Sequence, residues 1–199
     1  MKRIALAALL LAAASSAAAQ SSISVSIVQP QYSSQSVTSD GDRAPIDLGT
    51  RTGYGVGFAH RWQRISATID VMRLTAPGTA TISGIPLRVG NFDTTTLSAL
   101  ADVHTGRGID PYFGAGVAWV RSSDLHSDDL DLFGIGPVSI GNDVTYVLNG
   151  GIDFPLRHAL HFAVDARYMP VSVEARNANG TATVKYNALT LGAAIRWSF

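Results

Sequence analysis

The chain has 199 residues, 46% of them hydrophobic, and its 15 basic and 15 acidic residues give a formal net charge of zero. This composition fits one globular or membrane domain and excludes an intrinsically disordered chain. The zero net charge excludes the basic surface that nucleic-acid binding requires, so we expect no nucleic-acid partner. The absence of cysteine excludes disulfides and thiolate metal sites.

The first element is a predicted secretory signal peptide over residues 1–19. It has a basic start at Lys2 and Arg3, a short apolar run and a small-residue end, Ala17-Ala18-Ala19. The apolar run is too short for a membrane-spanning helix, and no later stretch reaches the roughly 18–20 apolar residues that such a helix needs. A mature chain of residues 20–199 that enters a membrane must therefore cross it with strands.

Period-two alternation after residue 20 predicts about eight strands of roughly nine to twelve residues, the length that a tilted strand needs to cross a bilayer. Helical periodicity is not convincing anywhere in this part of the chain. The predicted strands, in chain order, are residues 23–32, 53–62, 65–74, 95–104, 111–121, 143–154, 159–169 and 189–199.

The connections between these strands alternate in length. The links after the second, fourth and sixth strands are short, near residues 61–64, 105–110 and 155–158, whereas the others are long and polar. Short turns at one end and long loops at the other are typical of outer-membrane barrels. We therefore predict an all-β, eight-stranded antiparallel up-and-down transmembrane β-barrel in the bacterial outer membrane, with both termini in the periplasm.

A soluble β-sandwich is the alternative, because it shows the same alternation. The apolar face, however, carries aromatic residues near the strand ends, as the interfacial girdles of membrane barrels do. These residues are Tyr54, Phe113, Trp119, Tyr146, Phe154, Tyr168, Trp197 and Phe199. Their placement favours the membrane barrel, with outer-membrane lipid as its partner.

The opposite face of the predicted strands carries charges. Each of them would cost about 2–4 kcal/mol at the bilayer midplane if it faced lipid, so we expect them to face the lumen. An eight-stranded barrel is only wide enough for side chains or one small ligand, which favours mutual pairing over a polar conduction path. This predicted lumen charge belt consists of Arg61, Asp70, Asp102, Asp153, Asp165, Arg167 and Arg196.

The chain ends with the stretch LTLGAAIRWSF, whose alternating apolar positions include Trp197 and the terminal Phe199. This ending resembles the C-terminal signal that barrel-insertion machinery reads in outer-membrane proteins. We therefore expect Trp197 and Phe199 to act as an insertion signal as well as girdle residues.

Several motifs give the sequence a resemblance to the OmpW family of small outer-membrane barrels. They are PYFGAGVAW at residues 111–119, NGGIDFPL at 149–156, ARYMPV at 166–171 and RWSF at 196–199. The resemblance covers most of the mature chain in strand order and loop spacing.

The resemblance implies an eight-stranded barrel that funnels small hydrophobic molecules from outside towards a lateral exit into the membrane. The sequence departs from the family at residues 93–97 (DTTTL), where members often have Leu-Pro-Pro-Thr before the fourth strand. It also lacks the Arg-x-Gly start in residues 21–31. These departures concern the lateral exit more than the fold.

Two features could suggest other chemistry. His126 and Ser127 form an adjacent His-Ser pair, but adjacent strand residues point in opposite directions and a nucleophile needs an oriented base within reach. The acidic run at 124–131 could bind a hard cation, yet it lacks the glycine and terminal glutamate of an EF-hand loop. We therefore predict no enzymatic activity, no metal and no cofactor.

The resulting functional hypothesis is a narrow passive channel for small hydrophobic molecules. Met72, Gly114 and Gly116 are the candidates for lining the passage, because they are small or apolar positions on the lumen face. The alternative is a structural or interaction barrel that transports nothing and binds partners through its loops.

Overall fold

A computed structural model describes residues 19–39, 42–82, 85–106, 108–125, 127, 136–178 and 180–199. All of its named elements are strands. They are β1 Ala19–Ser39, β2 Asp42–Leu48, β3 Gly53–Trp62, β4 Ile65–Ile82, β5 Ile85–His104, β6 Asp110–Ser122, β7 Ser139–Ile140, β8 Asn142–Arg157, β9 Leu160–Asn177 and β10 Gly180–Ser198. In the described ranges, no helix is long and apolar enough to cross a membrane.

The strands close into one antiparallel ring. β1 pairs with both β3 and β10, and the remaining neighbours follow chain order. β2 and β3 share one place in the ring between β1 and β4, and β7 and β8 share another next to β9. Eight strand positions therefore surround the axis, which confirms the predicted eight-stranded antiparallel barrel.

One end of the barrel has short turns, at residues 63–64, 105–109 and 158–159. The start of β1 and the end of β10 meet at this same end, where Ser22 is paired with Ser198. We call it the turn end and the opposite one the loop end.

The outer face of the wall carries an exposed apolar band near the turn end. On β6, for example, Phe113 and Val117 are 61% and 57% exposed, while Tyr112 and Ala118, which flank them in sequence, point inwards and are buried. The alternation predicted from the sequence thus separates an apolar outer surface from the barrel interior.

Five strands are longer than predicted by seven residues or more. β1, β4, β5, β9 and β10 have 18 to 21 residues, so most of the sequence expected to form long loops after the third and seventh strands is strand. The reason is that the polar and apolar faces of these strands exchange sides: near the turn end the outer face is apolar, whereas towards the loop end the inner face is apolar and the outer face is polar. Towards the loop end Val171 and Val173 are buried inside, whereas Ser172 and Glu174 face out, and this polar outer face makes the segments look like loops.

The interior has two halves of different character. The half at the turn end contains the charged residues, whereas the half towards the loop end is filled by apolar side chains. The largest fully buried members of this apolar half are Leu74, Phe92, Val120, Val147, Met169 and Val173, and Tyr32 and Phe92 pack edge-on against Tyr186.

The wall has one seam with an interrupted ladder. β8 and β9 pair from Arg157↔Leu160 to Leu148↔Tyr168, and pairing resumes only at Ile140↔Ala175; no pair joins the described residues in between. Pro170 lies in this interval and has no N–H to donate. Two side chains and one backbone group bridge it instead: Thr145 Oγ1 donates to the Pro170 carbonyl, Asp143 accepts from the Ser172 N–H at 2.8 Å, and the Gly141 N–H donates to the Glu174 carbonyl at 2.7 Å.

Candidate functional site

Arg167 of β9 lies at the centre of the lumen charge belt. Its Nη1 is 2.7 Å from Asp70 Oδ2 across the barrel, and its Nε is 3.6 Å from Asp165 Oδ1. The three side chains are nearly buried, with at most 13% exposure. A guanidinium between two carboxylates is electrostatically compensated, and it fills the lumen at this level.

A second group of the belt surrounds Asp153. One oxygen of Asp153 lies 2.5 Å from Arg196 Nη1, and the other lies 2.8 Å from His161 Nδ1. The Arg196 guanidinium also lies over the ring of Tyr112, 5.8 Å from its centroid. This group ties β6, β8, β9 and β10 together near the turn end.

A third group lies at the turn-end rim. Arg61 pairs with Asp110, which also accepts from His104 at 2.8 Å and from the Gly106 N–H at 2.9 Å. His104 Nε2 is in turn 2.9 Å from Ser66 Oγ. Asp110 therefore holds the turn between β5 and β6 as well as the charge of Arg61.

The last member of the belt, Asp102, has polar rather than ionic partners. Asn149 Nδ2 donates to its Oδ1 at 2.9 Å, and Thr68 Oγ1 lies 3.4 Å from its Oδ2. The structure thus brings all seven predicted belt residues to the interior, where six of them join ion pairs and Asp102 joins a hydrogen-bond network.

Sequence reasoning missed several partners, namely His104, Asp110, Tyr112, Asn149 and His161. The alternation within the predicted strands already puts His104, Asn149 and His161 on the polar, lumen-facing side, and the same alternation puts Tyr112 there; the predicted belt leaves these four out because it is restricted to Asp and Arg residues. Asp110 was assigned to a turn, and no local signal relates it to Arg61, 49 residues earlier.

Hydrogen bonds connect Ser66 to His104 and His104 to Asp110, which is the Ser-His-Asp arrangement of the catalytic triad of serine hydrolases. Such a site also needs donors for an oxyanion, which are most often backbone N–H groups. Ser66 lies in β4, which is paired with β3 on one side and β5 on the other, with Ser66 opposite Arg61 and Asp102. The backbone N–H groups around Ser66 are therefore engaged in the sheet. We therefore interpret the three residues as part of the packed polar interior.

The predicted loop features are only partly described. His126 lies outside the described residues, and Ser127 Oγ donates to the Arg88 carbonyl at 2.7 Å. Asp124 accepts from Ser139 Oγ at 2.9 Å and fixes the loop against β7, and the remaining acidic residues of the run, Asp128, Asp129 and Asp131, are outside the described ranges. No cluster of potential metal ligands occurs in the part of the chain that is described.

Cavities inside the charged half are small. One cavity of about 30 Å³ adjoins Arg61, His104 and Arg196, and another of about 30 Å³ adjoins Asp70 and Arg167. Each has room for about one or two water molecules. The apolar half contains a cavity of about 10 Å³ between Leu74, Val120 and Met169.

A larger cavity of about 490 Å³ lies towards the loop end. It is lined by Ser36, Thr38, Pro170, Val171, Ser172, Lys185, Tyr186 and Asn187. It touches the buried apolar half through Val171 and Tyr186, and it reaches the interrupted seam at Pro170. Its volume falls in the range of small-molecule sites.

The three candidate passage residues face the interior but do not line this cavity. Met72 is buried with its Sδ 3.7 Å from Arg167 Nη1. A Cβ at Gly114 or Gly116 would lie 2.1 Å or 2.0 Å from the carbonyl oxygens of β5. These glycines therefore permit close approach of β5 and β6.

The two C-terminal aromatics are on the outer surface. Trp197 and Phe199 are 59% and 66% exposed, and the Phe199 backbone exchanges two hydrogen bonds with Ser21 of β1. Both residues thus lie at the closure of the ring, at the turn end.

Comparison with known proteins supports the same architecture. A family model described as "Outer membrane protein beta-barrel domain" matches residues 4–196. A comparison with curated protein sequences finds no match.

Solved structures that resemble the chain include outer membrane protein OprG from Pseudomonas aeruginosa, with a TM-score of 0.80, 14% identity and coverage of 92% of this chain and 96% of that one. Another is outer membrane protein AlkL in lipid bilayers, with a TM-score of 0.67, 16% identity and 90% coverage of each chain. Neisserial surface protein A has a TM-score of 0.58, 12% identity and coverage of 90% and 97%. At these identities the likeness shows the fold.

Proposed function

Because the chain belongs to the outer membrane protein β-barrel domain family, we infer that its exposed apolar band faces the lipid of the bacterial outer membrane. From this premise we propose that the barrel is a narrow passive channel that takes small hydrophobic molecules from the outside into that membrane. The observation that carries the proposal is the division of the interior into an apolar half at the loop end and a closed, charged half at the turn end.

The apolar half supports entry of an apolar solute. The 490 Å³ cavity joins it at Val171 and Tyr186, and burying apolar surface there is favourable by about 25 cal/mol per Å². A solute that reaches Phe92 and Met169 has left water and has passed a single charged lining residue, Lys185.

The charged half supports a barrier to the periplasm. Its central ion pair, Arg167–Asp70, is nearly buried, and each of its cavities has room for only about one or two waters. An apolar solute would have to separate Arg167 from Asp70 and leave both charges unpaired, which is costly in a dry interior. Passage straight through the barrel is therefore unfavourable.

The seam between β8 and β9 supports a lateral exit. At the seam the side chains of Asp143 and Thr145 and one backbone hydrogen bond, from the Gly141 N–H to the Glu174 carbonyl, bridge the interval. The apolar residues Val147 and Met169 are buried inside the wall next to it. By contrast, β4 and β5, where the OmpW resemblance would place an exit, are paired from Ile65↔Val103 to Ile82↔Ile85 with one register shift.

A disulfide across the seam tests this route, and the absence of native cysteine makes the experiment clean. We expect purified V144C/S172C, whose two side chains both face outwards, to take up a fluorescent hydrophobic solute in vesicles when reduced and to lose uptake when oxidised. The matched control, A99C/V117C, places a disulfide across the paired β5–β6 seam and should leave uptake unchanged in both redox states.

Two results would contradict the proposal. If the oxidised seam variant still takes up solute, the exit between β8 and β9 is excluded, while the proposed channel function stands. A wild-type protein that gives no uptake above empty vesicles supports the second candidate, a structural or interaction barrel. The specific observation that favours this second candidate is the lack of a solute-sized opening through the charge belt.

The proposal includes the location of the termini. The start of β1 and the end of β10 share the turn end of the barrel, which supports a periplasmic location for that end by analogy with other outer-membrane barrels. Cleavage of residues 1–19 as a signal peptide and recognition of Trp197 and Phe199 by the insertion machinery complete the proposed route. No enzymatic step, cofactor or metal takes part in the proposed function.

A further inference from the structure

Two arginines face outwards at the upper border of the apolar band, on the wall formed by β4, β5 and β6. Arg73 is paired in register with Thr95, and Thr95 is paired with Arg121. All three are exposed, and 54% of the Arg73 side chain is accessible. We call this set the outer arginine row (Arg73, Thr95 and Arg121).

The row lies directly above apolar residues. Two positions closer to the turn end on the same three strands, Val71, Leu97 and Trp119 face outwards and are 40%, 43% and 40% exposed. Tyr54 of β3, which is paired with Arg73, is also exposed. Because tyrosine and tryptophan mark the membrane–water interface of barrels, the row stands at headgroup depth on the loop-end side.

The geometry of the row suits phosphate. Neighbouring strands are about 4.8 Å apart, so the two arginine backbones are separated by about 10 Å with a hydroxyl between them. Guanidinium groups bind phosphate oxygens through paired, charge-assisted hydrogen bonds. Two long side chains at this spacing can converge on one phosphate or hold two adjacent ones.

The existing partner of Arg73 leaves it available. Asp93 Oδ2 is 3.6 Å from Arg73 Nη2, and both side chains are substantially exposed. Asp93 also accepts from Thr75 Oγ1 at 2.6 Å. An exposed pair at this distance is weak, so a doubly charged phosphate can replace the carboxylate as the main partner of Arg73.

We propose that the outer arginine row binds the phosphate groups of a phosphorylated glycolipid in the outer leaflet. A lipid headgroup fits better than free phosphate, because Val71, Leu97 and Trp119 below the row present an apolar surface for the acyl chains. The site lies on the outside of the wall, so it is separate from the interior route proposed above.

The proposal is tested with purified, refolded protein in detergent, by native mass spectrometry with lipid A as the probe. We expect R73A/R121A to bind lipid A about tenfold more weakly than wild type, because two sets of charge-assisted hydrogen bonds are lost. The matched control is R64A/R157A, which removes two exposed arginines at the turn end. It should bind lipid A like wild type.

Two further arms separate the ligand sources. Lipid A stripped of its phosphates should bind wild type as weakly as lipid A binds R73A/R121A, and inorganic phosphate should compete poorly. Equal loss of binding in the R64A/R157A control, or undiminished binding of the dephosphorylated lipid, overturns the site. Efficient competition by inorganic phosphate overturns the lipid as its ligand.

Heat-dependent gel mobility shows whether each variant is a folded barrel. If R73A/R121A does not fold, R73K/R121K keeps the charge while losing the paired geometry of guanidinium, and we expect intermediate affinity. Wild-type affinity in the lysine variant would contradict the bidentate arrangement.

Discussion

At Arg167 a single side chain joins distant parts of the barrel. The residue comes from β9, and its main partner, Asp70, comes from β4, 97 positions earlier. Because both groups are nearly buried, removing one leaves a charge that only the one or two waters of the adjoining cavity of about 30 Å³ could solvate. The pair therefore joins β4 to β9 across the lumen and disfavours conformations in which the charge belt opens.

We expect Asp70→Ala to lower the free energy of unfolding by about 3 kcal/mol, the lower part of the range for a broken buried pair, since Asp165 still compensates Arg167 in part. Urea titration of the protein in lipid vesicles, followed by tryptophan fluorescence, measures the effect.

The control is Glu174→Gln, which removes the exposed partner of Arg176 and should cost less than about 1 kcal/mol. If the two variants lose similar amounts of stability, the belt is hydrated and does not act as a closed plug.

The residues of this belt could be predicted from the sequence, because side chains alternate between the two faces of a strand and each inward position follows from its neighbours. Arg61, Asp70 and Arg196 all lie in segments with clear alternation, so their side of the wall is a local property. Their partners are not local. Arg61 pairs with Asp110 across the ring, and that pairing depends on a tilt and register that no single segment encodes.

On the scale of strands, β9 and β10 show that the outer face of a strand can change from apolar to polar along its length while side chains continue to alternate between the two faces. Leu189 and Leu191 face lipid near the turn end, whereas Val184 and Tyr186 on the same strand face inwards towards the loop end. The outer face becomes polar where the strand leaves the membrane. A prediction based on an apolar outer face therefore ends the strand too early.

The seam between β8 and β9 gives an element-scale prediction. Amides of residues 142–147 that point towards β9 should exchange with solvent deuterium at least about tenfold faster than amides of β6 that point towards β5, because exchange follows local opening. Hydrogen-exchange NMR in detergent micelles measures both sets in one sample.

Thr145→Val, which removes the bridge to the Pro170 carbonyl, should increase the rates at the seam and leave the β5–β6 rates unchanged. Equal protection of the two seams in the wild-type protein would show that the interruption near Pro170 does not weaken the wall.

At the scale of the molecule, the barrel exists only when its first and last strands meet. β1 and β10 pair from Ser22↔Ser198 to Thr38↔Thr183, and Phe199 extends this closure through its backbone hydrogen bonds to Ser21. The C-terminal aromatic therefore combines two properties: its backbone helps to close the ring, and its ring is exposed at the turn end.

We expect Phe199→Ala to reduce the amount of barrel assembled in the outer membrane of cells severalfold, while refolding of the purified chain into detergent is unchanged. The substitution keeps the backbone bonds and removes only the ring, so the difference reports recognition during insertion.

Phe113→Ala is the matched control for this prediction, because Phe113 is similarly exposed on the outer face. It should assemble like wild type in cells. A similar loss in both variants would mean that apolar area, rather than a terminal signal, determines assembly.

The sequence by itself determined the number of strands in the ring, their antiparallel order and the direction in which most side chains point. These properties follow from period two within a segment and from the lengths of the connections, which are local. Only the tertiary structure decided the extension of β4, β5, β9 and β10 towards the loop end, the interrupted seam at Pro170 and the choice of ionic partners. They depend on register and tilt around a closed ring, where residues about a hundred positions apart, such as Asp70 and Arg167, meet only after every strand has found its neighbour.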